Sequence, residues 1–516
     1  MSLSLASVAL SSFTAVLAIL IAKTVYRLFY HPLAQVPGPF LAKITSIWLV
    51  FHDRTLKRHI LDLELHQRYG PIVRIAPNNV MLSSPAASKV IYSPKGDYGK
   101  SEFYKPLGPD RPTEDRMSLL TETDNARYRL IRRVTGPLLT TTAVKKHESL
   151  CDPVLLQYVE NMTEKQGEAF DVLKWAHIVS IQLLQNVIMG DSDDIISSGD
   201  DEGDSELLQN VWLEHHWWGH CQPYYLFRRF LRLYLPKIGL KPPHEYSMDN
   251  LKCMKALAGR IKKRSMKGSN VPDPRIVSVG FYADVVSQQP LRPGFRESWA
   301  PLMANLALTA GIDSNATIIS SVINLVARHP SVATKIQEEL DTAAQQGLLS
   351  GPVPTYDECA ALPYLQATMN ETMRLHPSIS IVLERLVPSG GVNFEGFHLP
   401  AGTKVGCNPR VVHRNEELFG PEASRFDPGR WLSGSEEKVR EMEATSLKWG
   451  GGIRVCPGDK LSWVIMSKFL TIFFLKFSVH LLDMDELKAL GVNDVDGEVS
   501  MGTTKWRGTY MRLQRR

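Results

Sequence analysis

The chain has 516 residues, 44% of them hydrophobic and 22% charged, the balance of an ordinary globular protein and not of a disordered one. That length exceeds what one core usually serves, so one large unit or two are expected once any targeting segment is set aside. With 59 Lys and Arg against 54 Asp and Glu, the mild excess allows a basic docking face for an acidic partner but no nucleic-acid partner.

Leu3 to Ala22 is an apolar run without charge, about the length that spans a bilayer as a helix. Lys23 and Arg27 follow it and no basic residue precedes it, which places the C-terminal side in the cytosol. A cleaved signal peptide is the alternative, but it calls for a basic start and a shorter apolar core. Val36-Pro37-Gly38-Pro39 reads as a stiff hinge. The expected division is therefore an anchor over 1–22, a basic, proline-rich hinge over 23–40, and a catalytic domain over 41–516. None of the six cysteines forms a CxxC pair, so a reducing compartment is expected and five read as small buried hydrophobes.

Val73 to Leu82, broken at Pro77-Asn78-Asn79, reads as a β-hairpin. Ser93 to Arg116 reads as a long loop, Ala126 to Leu139 as a basic helix, and Asp191 to Glu206 as an acidic, exposed connection. Seven aromatic residues follow between Trp212 and Phe230, suited to roofing an apolar cavity or touching a membrane. His215, His216, His220 and Cys221 lie among them with poor metal-ligand spacing. Arg260 to Lys267 reads as a solvated basic helix face.

Trp299 to Ala327 is predicted to be one helix, on the order of 40 Å long, ended by His329-Pro330. Its polar residues Asn305, Asp313, Asn315 and Asn324 argue against a membrane span and for the core of a large protein. Within it, Gly311 marks a bend or a close approach. The neighbouring Asp313 and Ser314 could relay protons through water; alternatively Ser314 bonds back to its own helix. Tyr364 to His376 is a further helix on which Glu371 and Arg374 share a face, and Arg430, on a loop between Phe426 and Trp431, offers a second guanidinium for the same carboxylate.

Trp449-Gly450-Gly451-Gly452-Ile453-Arg454-Val455-Cys456-Pro457-Gly458 precedes an amphipathic run from Leu461 to Phe477. Glycines let the backbone fold so that amides point at the sulfur. Arg454 and a helix N-terminus are expected to favour the thiolate, with Pro457 in the first helical turn. A cysteine thiolate on haem iron favours O–O cleavage.

This loop resembles the haem-binding signature of the cytochrome P450 family, F-x-x-G-x-R-x-C-x-G, with Trp449 in place of Phe. Glu371 and Arg374 are similar to that family's E-x-x-R, Arg430 to the arginine that locks it, and Ala310 to Ser314 to its A/G-G-x-D/E-T oxygen-activation motif, with Ser314 for Thr. The resemblance implies a mainly α fold with a small β-rich lobe near the N-terminus, behind one N-terminal transmembrane helix. It implies haem b held by Cys456, with Arg129, Arg385 and Arg454 on the propionates. Asn125 stands where the family places an aromatic companion to that first arginine.

It further implies monooxygenation of a lipophilic small molecule with O2. Electrons would come from a membrane-bound NADPH-dependent reductase, or a cytochrome b-type donor, at the endoplasmic reticulum. The details of Val36–Phe40, Tyr69–Arg74 and Phe397–Trp431 look most similar to fungal microsomal members of secondary metabolism, including the pisatin-demethylase-like group. Asn305, Thr309, Ala310 and Ile381 are the expected substrate-pocket residues, with Ser101–Pro112, Trp212–Phe230 and Ser378–Leu383 nearby and Gly502–Lys505 as a polar end. A haem-thiolate isomerase or dehydratase, working without external electrons, and a non-catalytic haem sensor are the rival readings.

Overall fold

A computed structural model describes residues 5–107, 118–241, 246–265, 280–287, 294, 296, 298–492, 497–500 and 502–516. The expected loop over 93–116 and the basic cluster over 260–267 therefore lie partly outside the described residues.

The N-terminal apolar run forms a helix, Leu5–Val25, that passes through a π turn at Tyr26–Tyr30. Leu10–Tyr30 is long and apolar enough to cross a membrane and is exposed along its length. Two internal helices also meet that criterion, Val172–Met189 and Trp299–Arg328, but both are buried in the body.

The hinge is docked rather than free. Arg74, fully buried, donates to the carbonyls of Arg27 at 3.0 Å, Leu33 at 3.1 Å and Pro77 at 2.7 Å. Leu33 and Val36 are buried beside it, and a Cβ on Gly38 would strike the Arg74 carbonyl at 2.3 Å. The stiffness expected of the prolines is joined by the Arg74 grip, which fixes where the exposed helix leaves the body.

The Val73–Leu82 expectation holds as strands Ile72–Ala76 and Asn79–Leu82, paired antiparallel. Their sheet is completed by Lys404–Gly406, parallel to Asn79–Leu82, and by Arg385–Leu386. The β-rich lobe is thus only half N-terminal, because short strands that bury both faces need partners from distant sequence.

The α-rich body is built around Trp299–Arg328, one residue longer than expected and buried on most sides. It packs most extensively on Val172–Met189, where Leu184 occupies the space a Cβ on Gly311 would need, at 2.8 Å. Gly311 therefore permits a close helix approach. The helices Pro363–Leu375 and Asp459–Lys476 complete the core through Leu365, Phe469 and Phe473. A second hairpin, Gly497–Ser500 with Thr504–Arg507, lies against the core helix. The acidic connection over 191–206 is less exposed than its composition suggests: Asp204 is buried and accepts from the Lys252 and Cys253 amides at 2.6 and 2.8 Å.

Candidate active site

The loop before Asp459–Lys476 is folded as the glycines require. Gly450 and Gly452 have φ of +74° and +64°, a region that favours glycine. A Cβ on Gly452 would lie 2.4 Å from the Tyr92 carbonyl. The Cys456 amide donates to the Trp449 carbonyl at 2.8 Å, closing the loop, and Cys456 is a free thiol.

Its electrostatics differ from expectation. The helix begins at Asp459, after Pro457 rather than with it. Arg454 turns away from the sulfur, donating to the Glu122 carbonyl and the Asn125 side chain, both at 2.7 Å. Burial pushes the Cys456 thiol up to about 11, while the Gly458 amide and Arg132 pull the other way. The chain alone does not make the thiolate; a bound metal ion would, since coordination deprotonates a thiol outright.

Beside this loop the structure collects cations on aromatic faces instead of on carboxylates. Arg454 lies 3.8 Å from the Tyr128 ring centroid, Lys100 4.3 Å from Tyr104, and Arg385 5.2 Å from Tyr92. Lys100 and Arg385 also pair across an isolated β-bridge. All three are buried. Burial, then Arg385 and Arg454, push the Lys100 ammonium well below its usual range; burial first brings Arg454 down to about 10. Among the described residues, no carboxylate pairs with any of the three. The Arg454 Nε and an Arg132 Nη are buried without a partner. A site so arranged is costly unless a dianion completes it, and the two propionates of haem are such a dianion. The residues present fit that group.

The basic helix expected over Ala126–Leu139 is an α-helix over Asn125–Thr135 that tightens to a 3-10 turn at Gly136–Leu139, and its arginines differ in exposure. Arg129 is 47% exposed, with Asp97 3.8 Å away. Arg132, three residues later, is the one whose charge reaches Cys456 and Tyr128. Exposure and contacts, not the motif spacing, decide this, and the sequence reading missed Tyr128, Arg132 and Lys100. Asn125 serves Arg454 and donates to Asp97 at 3.0 Å.

The Glu371 lock is present but differently shared. Arg374 grips Glu371 with Nε and Nη2, both at 2.8 Å, and both residues are buried. The remaining donors are the Asp427 amide and the Trp431 indole, each at 2.9 Å. Arg430 approaches only as an ion pair at 3.5 Å, its Nη groups going to the Phe419 and Glu422 carbonyls. His413, also missed, extends the lock towards the cysteine. Its Nε2 accepts from the Leu447 amide at 2.8 Å, so its Nδ1 donates to the Arg374 carbonyl at 2.9 Å. Burial pushes the His413 imidazole down to about 3.

On the core helix, Ala307, Gly311 and Ser314 are partly accessible and Ala310 is exposed, although most of the helix is buried. These positions recur at helical spacing and form one open face, while Leu302, Asn305 and Leu306 nearer the N-terminus are partly accessible as well. Ser314 donates to the Ala310 carbonyl at 2.6 Å, and Thr309 to the Asn305 carbonyl at 2.8 Å, so both hydroxyls bond back to their own helix. Asn305 keeps a buried, unpartnered Oδ1. Ile381 is partly exposed.

Asp313 points about 100° round the helix from Ser314. Its Oδ1 accepts from His177 Nε2 at 2.9 Å and pairs with the Lys505 ammonium at 2.5 Å; its Oδ2 accepts from Thr503 at 2.7 Å. Burial would push the Asp313 carboxyl up, but Lys505 and His177 together outweigh it and hold it well below the usual carboxylate range. Lys505, expected to serve the substrate, is therefore spent on Asp313. The roof residues His215, His216 and His220 surround the Phe103 ring, at 5.3, 5.6 and 4.7 Å between centroids.

The family model "Cytochrome P450" matches residues 37–256 and 301–493. The chain is 31% identical to cytochrome P450 monooxygenase sdnT of Sordaria araneosa, over 93% of this chain and 90% of that protein. It is 28% identical to cytochrome P450 monooxygenase cicH of Emericella nidulans, over 88% and 90%. Pisatin demethylase of Fusarium vanettenii is 27% identical over 89% and 85%.

Proposed function

The chain belongs to the cytochrome P450 family and is a haem-thiolate monooxygenase; from that premise, we propose that it oxidises a lipophilic intermediate of fungal secondary metabolism. The likeness to the fungal monooxygenases sdnT and cicH supports that substrate class. The overall change is RH + O2 + 2 electrons + 2 protons giving ROH + H2O, the electrons arriving from NADPH through a separate flavoprotein reductase. When bound, haem b supplies the iron at which oxygen is activated, and a cysteine thiolate favours O–O cleavage there.

The chain's own residues divide the remaining work. Cys456 is the metal ligand, and the Gly458 amide holds its sulfur. Lys100, Arg132, Arg385 and Arg454 take the propionates, with Arg132 in the place the sequence assigned to Arg129. The Glu371–Arg374–Trp431 lock and His413 fix the loop from behind. The open face of the core helix, from Asn305 through Ala310 to Ser314, and Ile381 border the reacting space. The buried cation cluster without a carboxylate carries the reading.

Leu10–Tyr30 anchors the protein in the endoplasmic reticulum membrane with the body in the cytosol. The helix Gln222–Tyr234, which buries none of its residues, lays Tyr224, Phe227 and Phe230 on the lipid surface. The test is a reconstitution of the full chain with reductase, lipophilic candidates and isotopically labelled O2. Products should carry one labelled oxygen and require NADPH. Conversion without reductase, or products free of label, would replace this reading with isomerase or dehydratase chemistry.

A further inference from the structure

The chain carries Lys23, Arg27, His31 and Lys43 before its first carboxylate, Asp53, which is buried and pairs with Arg58 at 3.3 Å. Three of these basic groups gather with Arg74 where the exposed N-terminal helix meets the body. The Arg74 guanidinium grips the Arg27 and Leu33 carbonyls. Arg27 in turn donates to the Ile44 carbonyl at 2.5 Å, and the Lys43 ammonium donates to the Ala34 carbonyl at 3.3 Å. His31 Nδ1 accepts from the Leu33 amide at 3.1 Å, so the neutral ring carries its proton on Nε2.

Four basic side chains are thus stitched around the segment 27–44, and the three that donate do so to backbone carbonyls. Among the described residues, none of the four pairs with a carboxylate. They oppose one another instead. Burial, then Arg74, lowers the Lys43 ammonium, and burial, then Arg74 and Arg27, lowers the His31 imidazole. Burial, then Arg27, brings Arg74 down to about 10. A set of cations crowded in this way is stabilised by an anion that supplies the missing charge. Arg27, His31 and Lys43 are only half-buried, so an anion can reach them.

The surroundings select the anion. Phe29, Tyr30, Phe40 and Leu41 are 71, 73, 63 and 58% exposed, an aromatic and aliphatic rim directly after the apolar helix. Aromatic residues at the end of a spanning helix sit at the level of the lipid headgroups. A free anion or an acidic protein gains nothing from such a rim, whereas a lipid lays its acyl chains beside it. We propose that Arg27, His31, Lys43 and Arg74 bind the phosphate headgroup of one anionic phospholipid, whose acyl chains lie along the N-terminal helix. This is a single saturable site and not the diffuse attraction of a basic flank. It rests on the membrane-anchor reading, so its test does not require the anchor to cross a bilayer.

The haem-loaded full chain is held in micelles of a neutral detergent with sparse phosphatidylinositol and excess phosphatidylcholine, and the retained lipids are counted by native mass spectrometry. One phosphatidylinositol per chain should be held in preference to phosphatidylcholine. Lys43→Gln should cut that preference about fivefold, the effect of one basic residue at an anionic surface, and His31→Gln should lower it too. Lys43→Arg should keep it. Lys23→Gln, at an exposed position outside the bonded set, should leave it unchanged. The ferrous carbonyl band controls for folding.

Losses in Lys23→Gln equal to those in Lys43→Gln, or no loss in either, would overturn the proposal. So would retention of phosphatidylcholine as readily as phosphatidylinositol. Displacement of the lipid by inorganic phosphate at equal concentration would give the cations to a free anion and overturn it as well. Flotation with pure phosphatidylcholine vesicles after an alkaline wash tests the anchor separately. A chain that washes off sinks the anchor reading, while the micelle count still decides the site.

Discussion

The two sides of this active site are built differently. On the thiolate side, Cys456 sits in a loop closed on itself at Trp449, reached from elsewhere by the Arg132 charge and backed by a helix whose Glu371 and Arg374 are three residues apart. On the acid side, Asp313 gets nothing from its neighbours in sequence; its partners His177, Thr503 and Lys505 lie in distant elements, the first two 136 and 190 positions away. The first side holds a cofactor and must be rigid. The second must hold a charge in a closed interior, which only converging elements can do.

The largest expected effect comes from breaking the rigid side. Glu371→Ala leaves Arg374 buried without its carboxylate, a loss of about 3–5 kcal/mol; denaturant unfolding should show it, with little haem retained. Arg132→Ala should cost about 1.5–3 kcal/mol of haem binding, the range for a charged hydrogen bond, read as faster haem transfer to an apo-acceptor protein. Arg129→Ala should stay within about 0.5 kcal/mol of wild type, as exposed substitutions do. Equal losses in the two variants would return the propionate role to Arg129.

His413 joins the lock to the loop, so His413→Ala strands a Leu447 amide and an Arg374 carbonyl, at about 1–3 kcal/mol. The histidines also set the pH dependence. Burial pushes His413 and His59 down to about 3 and His216 to about 4. Each stays neutral when folded but takes a proton below about 6.5 when unfolded. The unfolded state then binds more protons, so their contribution is complete above about 6.5 and falls with pH by about 1 kcal/mol per unit per group. Unfolding measured from pH 7 to 5 should show this slope, reduced in His413→Gln.

Much of the thiolate side was legible because spacing along the chain equals placement in space. The glycines of 450–452, the Glu371–Arg374 pair and the long core helix all depend on neighbours within one or two helical turns. Legibility failed where two candidates share one helix face. Arg129 and Arg132 are three residues apart, but only the structure tells which faces inward. At Arg454, whose short separation from Cys456 suggested an effect on the sulfur, the guanidinium instead bonds the Glu122 carbonyl and the Asn125 side chain. His177, Thr503 and Lys505 left no sequence pattern, because their common point is made by tertiary packing.

The account stands on iron held by the sulfur of Cys456, and the ferrous carbonyl spectrum of Cys456→Ser tests it most directly. The wild-type chain should give the red-shifted Soret band that a thiolate ligand produces, and Cys456→Ser should lose it. A Cys456→Ser protein that keeps the band would contradict the assignment.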